Sequence, residues 1–193
     1  MDAKLIPTLN NMGWMIAQHL DFYTESFIDY ARTVTEPVLE VGAAYGVAAP
    51  RILAQGGKII VNDLDARHLA VLYEQTPAPL RPQLQLLPGS CVDEIDIEPH
   101  SLAAILCGRV FHFFDEDTIL QCLTRFAQWL KPQGKIFIVA DSIYHGMNES
   151  LFAQFLARKA AGDKNPARVS LRDNPRLAAQ PNRDEILQAM PAY

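Results

Sequence analysis

From residue 38 onward, short apolar runs alternate with longer stretches of helical period. Val38–Val41, Lys58–Val61, Gln83–Leu87, Leu102–Leu106 and Lys135–Ala140 read as five strands. The fourth, Leu-Ala-Ala-Ile-Leu, is apolar at every position, as expected of a parallel strand covered on both faces. Helix-compatible stretches lie between the strands. One runs from about Gly46 to Gln55 and stops at Gly56-Gly57, with Pro50 near its first turn, where a missing N–H does least harm. Another is capped by Asp65 and runs to about Gln75, with Leu69, Leu72 and Tyr73 turned inward. A third is capped by Asp115, with Ile119, Leu120, Leu123, Phe126, Ala127 and Leu130 on one face. Prolines make Thr76–Pro82 a loop, and Lys131–Gly134 is a turn. The alternation predicts an α/β doubly wound fold: a mostly parallel sheet with helices on both faces.

Two flanks complete a single domain whose core spans residues 37–147. Across residues 1–36, Ile16, Leu20, Tyr23, Phe27 and Tyr30/Ala31 recur at helical spacing, and Glu36-Pro37 ends the segment. This helical cap either packs on the sheet or covers its binding edge as a lid. In residues 148–193, Asn148 can cap a helix from Glu149 to Ala161 that Gly162 terminates. Asp163 to Asn182 is polar with three prolines, and Arg183 to Met190 can form a short closing helix. Only Arg168–Leu171 offers a further strand, and a poor one. The outer edge of strand five is therefore a pairing hazard, and a homodimer or a covering tail is expected there.

Composition narrows the classes of function. The chain has 193 residues, 49% of them hydrophobic, enough for one substantial core. A net charge of −5 and 17 scattered Lys and Arg argue against a nucleic-acid partner, which needs a clustered basic face. The densest basic group, Arg158, Lys159, Lys164, Arg168 and Arg172, is interrupted by Asp163 and Asp173 and reads as solvated surface. The three cysteines, Cys91, Cys107 and Cys122, have no CxxC spacing, so neither a disulfide framework nor a metal site is expected, and a reducing cytoplasm fits. The opening MDAKLIPTLN has no secretory pattern, and no apolar run approaches membrane-spanning length.

The chemistry concentrates in Val38 to Asp65, where strand, glycine turn, helix, strand and acid follow one another as in a nucleotide-binding βαβ unit. Asp63 stands 21 positions after Gly42, near the spacing of a ribose-binding carboxylate. A dinucleotide fingerprint would need glycines where this chain has Ala44 and Val47, which disfavours a nicotinamide oxidoreductase. The pattern acid-x-G-x-G-x-G fits better, with Glu40, Gly42, Ala44 and Gly46. Together with VNDLD, LLPGS, and AILCGRVFHFF followed by a helix, KPQGK and a strand, it makes the chain resemble the class I S-adenosylmethionine-dependent methyltransferases from roughly Glu36 to Ser142.

The resemblance implies a Rossmann-like methyltransferase fold, S-adenosyl-L-methionine as cofactor with S-adenosyl-L-homocysteine as product, and no metal; the acidic surface and the aromatic-rich leading helix favour a small-molecule methyl acceptor over a macromolecule. Glu40, Gly42, Ala43, Ala44, Tyr45 and Gly46 would cradle the methionine part. Asp63 would accept from both ribose hydroxyls and Leu64 would pack on the adenine. Ser90 stands where the family often has an acid for the adenine amino group, with Cys91 beside it. Cys107 and Gly108 would pass the sulfonium end. Departures from the family are Ser90, Ala103 in place of a frequent Asp, and the missing pair of C-terminal antiparallel strands. Ala103 bears on packing more than on chemistry, while Ser90 and the missing strands keep open a second reading, a non-catalytic methyltransferase-like binding subunit.

On the acceptor side the residues leave several roles open. His112 is a candidate base or substrate-orienting group, or else a histidine packed among Phe111, Phe113 and Phe114. Tyr144 and His145 share its edge of the sheet. Arg109 could orient an anionic substrate or pair with an acid, and Tyr23 could reach the cofactor if its helix is a lid. Whether N, O, S or C is methylated stays open.

Overall fold

The computed structural model describes residues 5–16, 20–144, 149–164 and 166. In chain order the elements are β1 (Leu5–Pro7), β2 (Trp14–Ile16), α1 (Phe22–Ala31), β3 (Val38–Val41), α2 (Ala49–Ala54), β4 (Ile59–Asp63), α3 (Ala66–Gln75), β5 (Leu84–Pro88), β6 (Leu102–Gly108), α4 (Glu116–Trp129), β7 (Leu130–Val139) and α5 (Glu149–Ala160). Short 3-10 turns cover Ala78–Gln83 and Phe111–Phe113. Five strands form one sheet in the order β5-β4-β3-β6-β7, and every neighbouring pair is parallel. The expected doubly wound fold is present. Its strand order reverses beside β3, and open α/β sheets bind ligands at such a crevice.

Side chains alternate between two cores. On one face, Phe27, Ile28 and Ala31 of α1, Ile52 and Leu53 of α2, and Leu69 and Leu72 of α3 pack on Val38, Val61 and Leu106. On the other, Cys122, Phe126 and Trp129 of α4 meet Leu39, Ile60, Ile105 and Cys107. A bidentate Arg51–Glu25 pair, 2.7 Å at each contact, ties α2 to α1.

Several elements differ from the sequence pattern. The leading helix begins at Phe22 and not near Ile16, because the Asp21 carboxylate accepts from the backbone of Tyr23 and Thr24 and caps it there. Ile16 instead pairs with Leu5 in the antiparallel hairpin β1–β2. Helix α1 packs on the sheet, with Phe27 edge-on to Phe137 at 5.6 Å, while Phe22 and Tyr23 stay exposed. In α3 the inward residues are His68, Leu69, Val71 and Leu72, and Tyr73 turns outward under the Arg81 guanidinium, 4.3 Å from its ring centre. In α4 the buried stripe is Cys122, Phe126 and Trp129, leaving Leu120 and Ala127 exposed. Strand β7 begins at Leu130, opposite Leu102, but Lys135 is already opposite Ala104, so residues 131–134 bulge out as the expected turn.

Asn148, His145, Arg168–Leu171 and the Arg183–Met190 segment lie outside the described residues. Among the described residues, no helix is long and apolar enough to cross a membrane, and no group of three or more His, Cys, Asp or Glu is placed to hold a metal ion.

Candidate functional site

The glycine turn leaves β3 through a left-handed backbone, with φ of 62° at Gly42, 49° at Ala44 and 78° at Gly46. Gly42 is doubly constrained, since a Cβ there would lie 2.3 Å from Val110 Cγ2. The turn is held from below by Glu40. Its Oε1 accepts from the N–H groups of Val47 (3.1 Å) and Ala48 (3.3 Å), where Ala48 has no side chain with which to cap α2. Its Oε2 is buried and has no hydrogen-bond partner. Burial pushes the Glu40 carboxyl up to about 7, against the pull of the Ala48, Val47 and Ala49 amides.

Asp63, at the end of β4, is 6% exposed and already engaged within the chain. Oδ2 accepts from Ala44 N–H at 2.7 Å; Oδ1 accepts from Asp65 N–H and faces His68 Nδ1, both at 2.9 Å. A carboxylate offers about four acceptor positions, so one remains, on Oδ2. Leu64 follows with its side chain exposed, free to lie against a planar ligand. Asn62 ties β4 to the end of β5 through the carbonyls of Leu87 and Gly89, each at 2.8 Å.

Other members of the expected cofactor set face elsewhere. The Tyr45 side chain is fully buried and donates to the Pro7 carbonyl of the hairpin at 2.8 Å. Ala43 is buried among the α1–α3 core residues. Ser90 closes a local turn: its N–H donates to Glu94 Oε2 at 2.7 Å and its Oγ accepts from Val92 N–H at 3.1 Å. Cys91 and Cys107 bury their thiols in the α4-side core, where Cys91 Sγ is 3.8 Å from Cys122 Sγ. Burial pushes all three thiols up, that of Cys91 to about 12.

The β6–β7 edge carries a looser polar group. Arg109 adopts φ 59°, and its N–H donates to the Val139 carbonyl at 2.6 Å. Its guanidinium reaches Asp21 at 3.3 Å and Asp141 at 3.6 Å. Partial burial raises the Asp21 pKa, but Thr24 and Arg109 outweigh it and hold the carboxyl below its usual range. His112 lies against Phe113, ring centres 4.1 Å apart, with its outer side exposed. Burial of the inner side pushes the imidazole pKa down; Asp141 pulls it up and Arg109 pushes it down. Tyr144 joins an aromatic group with Phe152 and Phe155, at 5.6 and 5.7 Å. Tyr23 sits exposed against Phe22. A groove of about 550 Å³ on the outer face of α4, lined by Leu120, Gln121 and Arg125 among others, contains none of these residues.

The sequence profile of the methyltransferase domain family matches residues 38–134, just over half of the chain. The chain belongs to this methyltransferase domain family. The match begins at β3, takes in the glycine turn and Asp63, and ends at the bulge in β7. Two proteins of Schizosaccharomyces pombe are similar: the uncharacterized methyltransferase C25B8.09, 31% identical over 112 residues, and the uncharacterized methyltransferase-like C25B8.10, 31% identical over 120. The alignments take in 58% and 62% of this chain but 41% and 42% of those proteins, so the chain spans about two fifths of the curated relatives it matches. Among solved structures, the glycopeptide N-methyltransferase MtfA in complex with S-adenosyl-L-methionine is similar with a TM-score of 0.52 at 21% identity, over 62% of this chain and 54% of that one. The MccD protein is similar with a TM-score of 0.56 at 14% identity, over 70% and 60%. These two likenesses speak to the fold.

The methyltransferase core thus brings Glu40, the Gly42–Gly46 turn and Asp63 into one hydrogen-bonded unit, and Arg109 and His112 into electrostatic reach of Asp141. Sequence reasoning missed His68, Val110, Asp21 and Asp141. The signal for His68 was its place on the apolar face of α3, one residue before Leu69 and five after Asp63. Val110 and Asp141 carry no local signal, because each acts across the fold, whereas Asp21 has one, an N-cap position before Phe22, with only its pairing to Arg109 being remote.

Proposed function

We propose that the protein is an S-adenosylmethionine-dependent methyltransferase that transfers a methyl group to a small-molecule acceptor by in-line displacement. The observation that carries this reading is the buried Glu40 Oε2, an acceptor without a partner beneath a left-handed glycine turn. Its complement is a cationic donor such as an amino-acid ammonium. The open acceptor position on Asp63 Oδ2 suits a ribose hydroxyl, and exposed Leu64 suits the face of an adenine. These residues fit the cofactor. When bound, it supplies a methyl group already activated by a positively charged sulfur.

The chain's own task is then to bind, orient and exclude water. Glu40 and the turn hold the amino-acid end, while Asp63 and Leu64 hold the nucleoside end. His112, with one side against Phe113 and the other open, would orient an acceptor or take its proton. Arg109 is held by two carboxylates, which supports a structural role alongside any contact with an anionic acceptor. The binding-subunit reading draws on Asp63 and Ser90 spending most of their capacity inside the protein. Calorimetric titration with S-adenosylmethionine and with NADH separates the readings. Binding of the first alone, abolished by Asp63→Ala, supports the methyltransferase; binding of neither favours the subunit.

A further inference from the structure

The hairpin β1–β2 docks beside the glycine turn. Ile6 and Met15 are buried with Ala44, Tyr45 and Val71, and Arg67 reaches the Leu9 carbonyl at 3.3 Å. The turn between the two strands delivers one more group: Leu9 N–H donates to His68 Nε2 at 3.0 Å. A ring nitrogen that accepts an amide hydrogen must carry a lone pair, so the proton of the imidazole sits on Nδ1. That Nδ1 faces Asp63 Oδ1 at 2.9 Å, and His68 is 1% exposed, so solvent does not compete for the pair. The opposite tautomer would set an Nδ1 lone pair against a carboxylate oxygen.

We infer that His68 is a positioning residue for Asp63, and that the Leu9 amide keeps it in the donating tautomer, making the hairpin a working part of the ribose end of the site. The inference rests on the methyltransferase reading. Its physical content lies in the last torsion of Asp63, which is soft in a free aspartate. His68 and Asp65 N–H hold Oδ1 from one side, Ala44 N–H fixes Oδ2, and the remaining acceptor position is thereby aimed. Releasing His68 frees the carboxylate to turn. Neither the glycine turn nor Asp63 itself needs to change for cofactor affinity to fall.

Asparagine and glutamine separate the two bonds of the ring. An asparagine amide occupies the Nδ1 position and can always turn its NH₂ toward Asp63, whatever Leu9 does. A glutamine amide reaches the Nε2 position and meets Leu9 alone. Leu9 is the second residue of a β-turn closed by Asn11 N–H to the Thr8 carbonyl at 3.0 Å, a position that accommodates proline. Leu9→Pro thus deletes the amide hydrogen, together with part of the Leu9 packing against Ile6, Met15 and Tyr45, a loss that the His68→Asn background shares. The experiment titrates the full chain and its variants with S-adenosylmethionine by calorimetry, and reads the His68 ring tautomer by ¹⁵N NMR.

The parent is expected to show a single Nδ1–H tautomer. His68→Gln should weaken binding about tenfold, the loss of one hydrogen bond to a charged group. His68→Asn should bind within about threefold of the parent, since that bond is kept. Leu9→Pro removes one of the two groups that fix the Nδ1–H tautomer and should weaken binding about fivefold in the parent, a fraction of the same bond, and clearly less in the His68→Asn background, where only the Leu9 packing is lost. Equal weakening by Leu9→Pro in both backgrounds, or parent-like binding by His68→Gln, overturns the inference. If His68→Gln does not fold, the Leu9→Pro pair decides. A parent that binds no S-adenosylmethionine overturns the methyltransferase reading and this inference with it, whereas a parent that binds while the variants misbehave overturns this inference alone.

Discussion

The two ends of the crevice are built in opposite ways. At the β3–β4 end, two acids are nearly sealed from water, and the contacts around Asp63 are 2.7–2.9 Å long. At the β6–β7 end, Arg109 spans two carboxylates at 3.3 and 3.6 Å, one of them half exposed, beside an open histidine and exposed aromatic rings. Buried, hydrogen-bonded groups hold one geometry; exposed ion pairs cost little to rearrange. The first arrangement suits a ligand that never varies. The second suits an acceptor whose shape the fold does not dictate.

Substitutions can break or sharpen that contrast. Asp63→Ala has the largest expected effect, because it strands the Ala44 and Asp65 amides and the His68 ring in a dry site. At roughly 1–3 kcal/mol for each donor left without a partner, the loss should be visible both as a lowered urea midpoint and as abolished S-adenosylmethionine binding. Unchanged stability would mean that the β3–β4 end is not preassembled.

Glu40 comes next. Its folded carboxyl holds its proton up to about 7, above the 4.5 of an ordinary glutamate. Between those values the folded state binds more protons than the unfolded one. The stabilisation is therefore full below about pH 4.5 and is lost as pH rises through about 7. A displacement of that size is on the order of 3 kcal/mol. Urea unfolding of Glu40→Gln at pH 5 and pH 8 should show this slope flattened. By the same logic, cofactor binding near pH 6 should release a proton from Glu40, seen as a binding heat that depends on buffer ionisation enthalpy.

At the other end, His112→Ala should slow turnover by about a hundredfold if the residue moves a proton, with cofactor affinity changed by less than about twofold. Equal turnover removes His112 from the chemistry. Arg109→Ala should be the mildest for stability, below about 1 kcal/mol, and what effect it has should shrink in high salt. A loss several times larger would show that the β6–β7 end is as rigid as its neighbour.

The parallel sheet is legible because β6 is apolar at nearly every position and β3 and β4 open on apolar runs, and Gly42, Gly46 and Asp63 mark the crevice by type and spacing. What the sequence hid were relations between distant segments. Leu120 and Ala127 extend a good apolar stripe, yet α4 turns Cys122 and Trp129 inward, because a helix with apolar residues on two adjacent faces is oriented by its partner and not by its own pattern. Ile16 fits a helical period, but a single capping carboxylate at Asp21 started the helix later and left Ile16 to pair with Leu5. Cys91 and Cys107 are expected at the cofactor from the order of the chain, yet both thiols are buried in the α4-side core, Cys107 by the pleat of β6 and Cys91 by the turn that follows β5. His68 was hidden in the same sense: its partners are five residues behind it and fifty-nine residues away in the hairpin.

The 2.3 Å gap between a hypothetical Cβ on Gly42 and Val110 has a consequence for how this chain can drift over generations. Ala44 already tolerates a left-handed backbone in the same turn, so conformational cost alone does not bar alanine at position 42. The methyl group of Val110 does. A lineage that acquires a side chain at 42 must trim position 110 as well, or else shift the turn that carries His112. The two positions are therefore expected to be inherited as a pair, and Gly42→Ala with Val110→Ala should recover what Gly42→Ala alone loses.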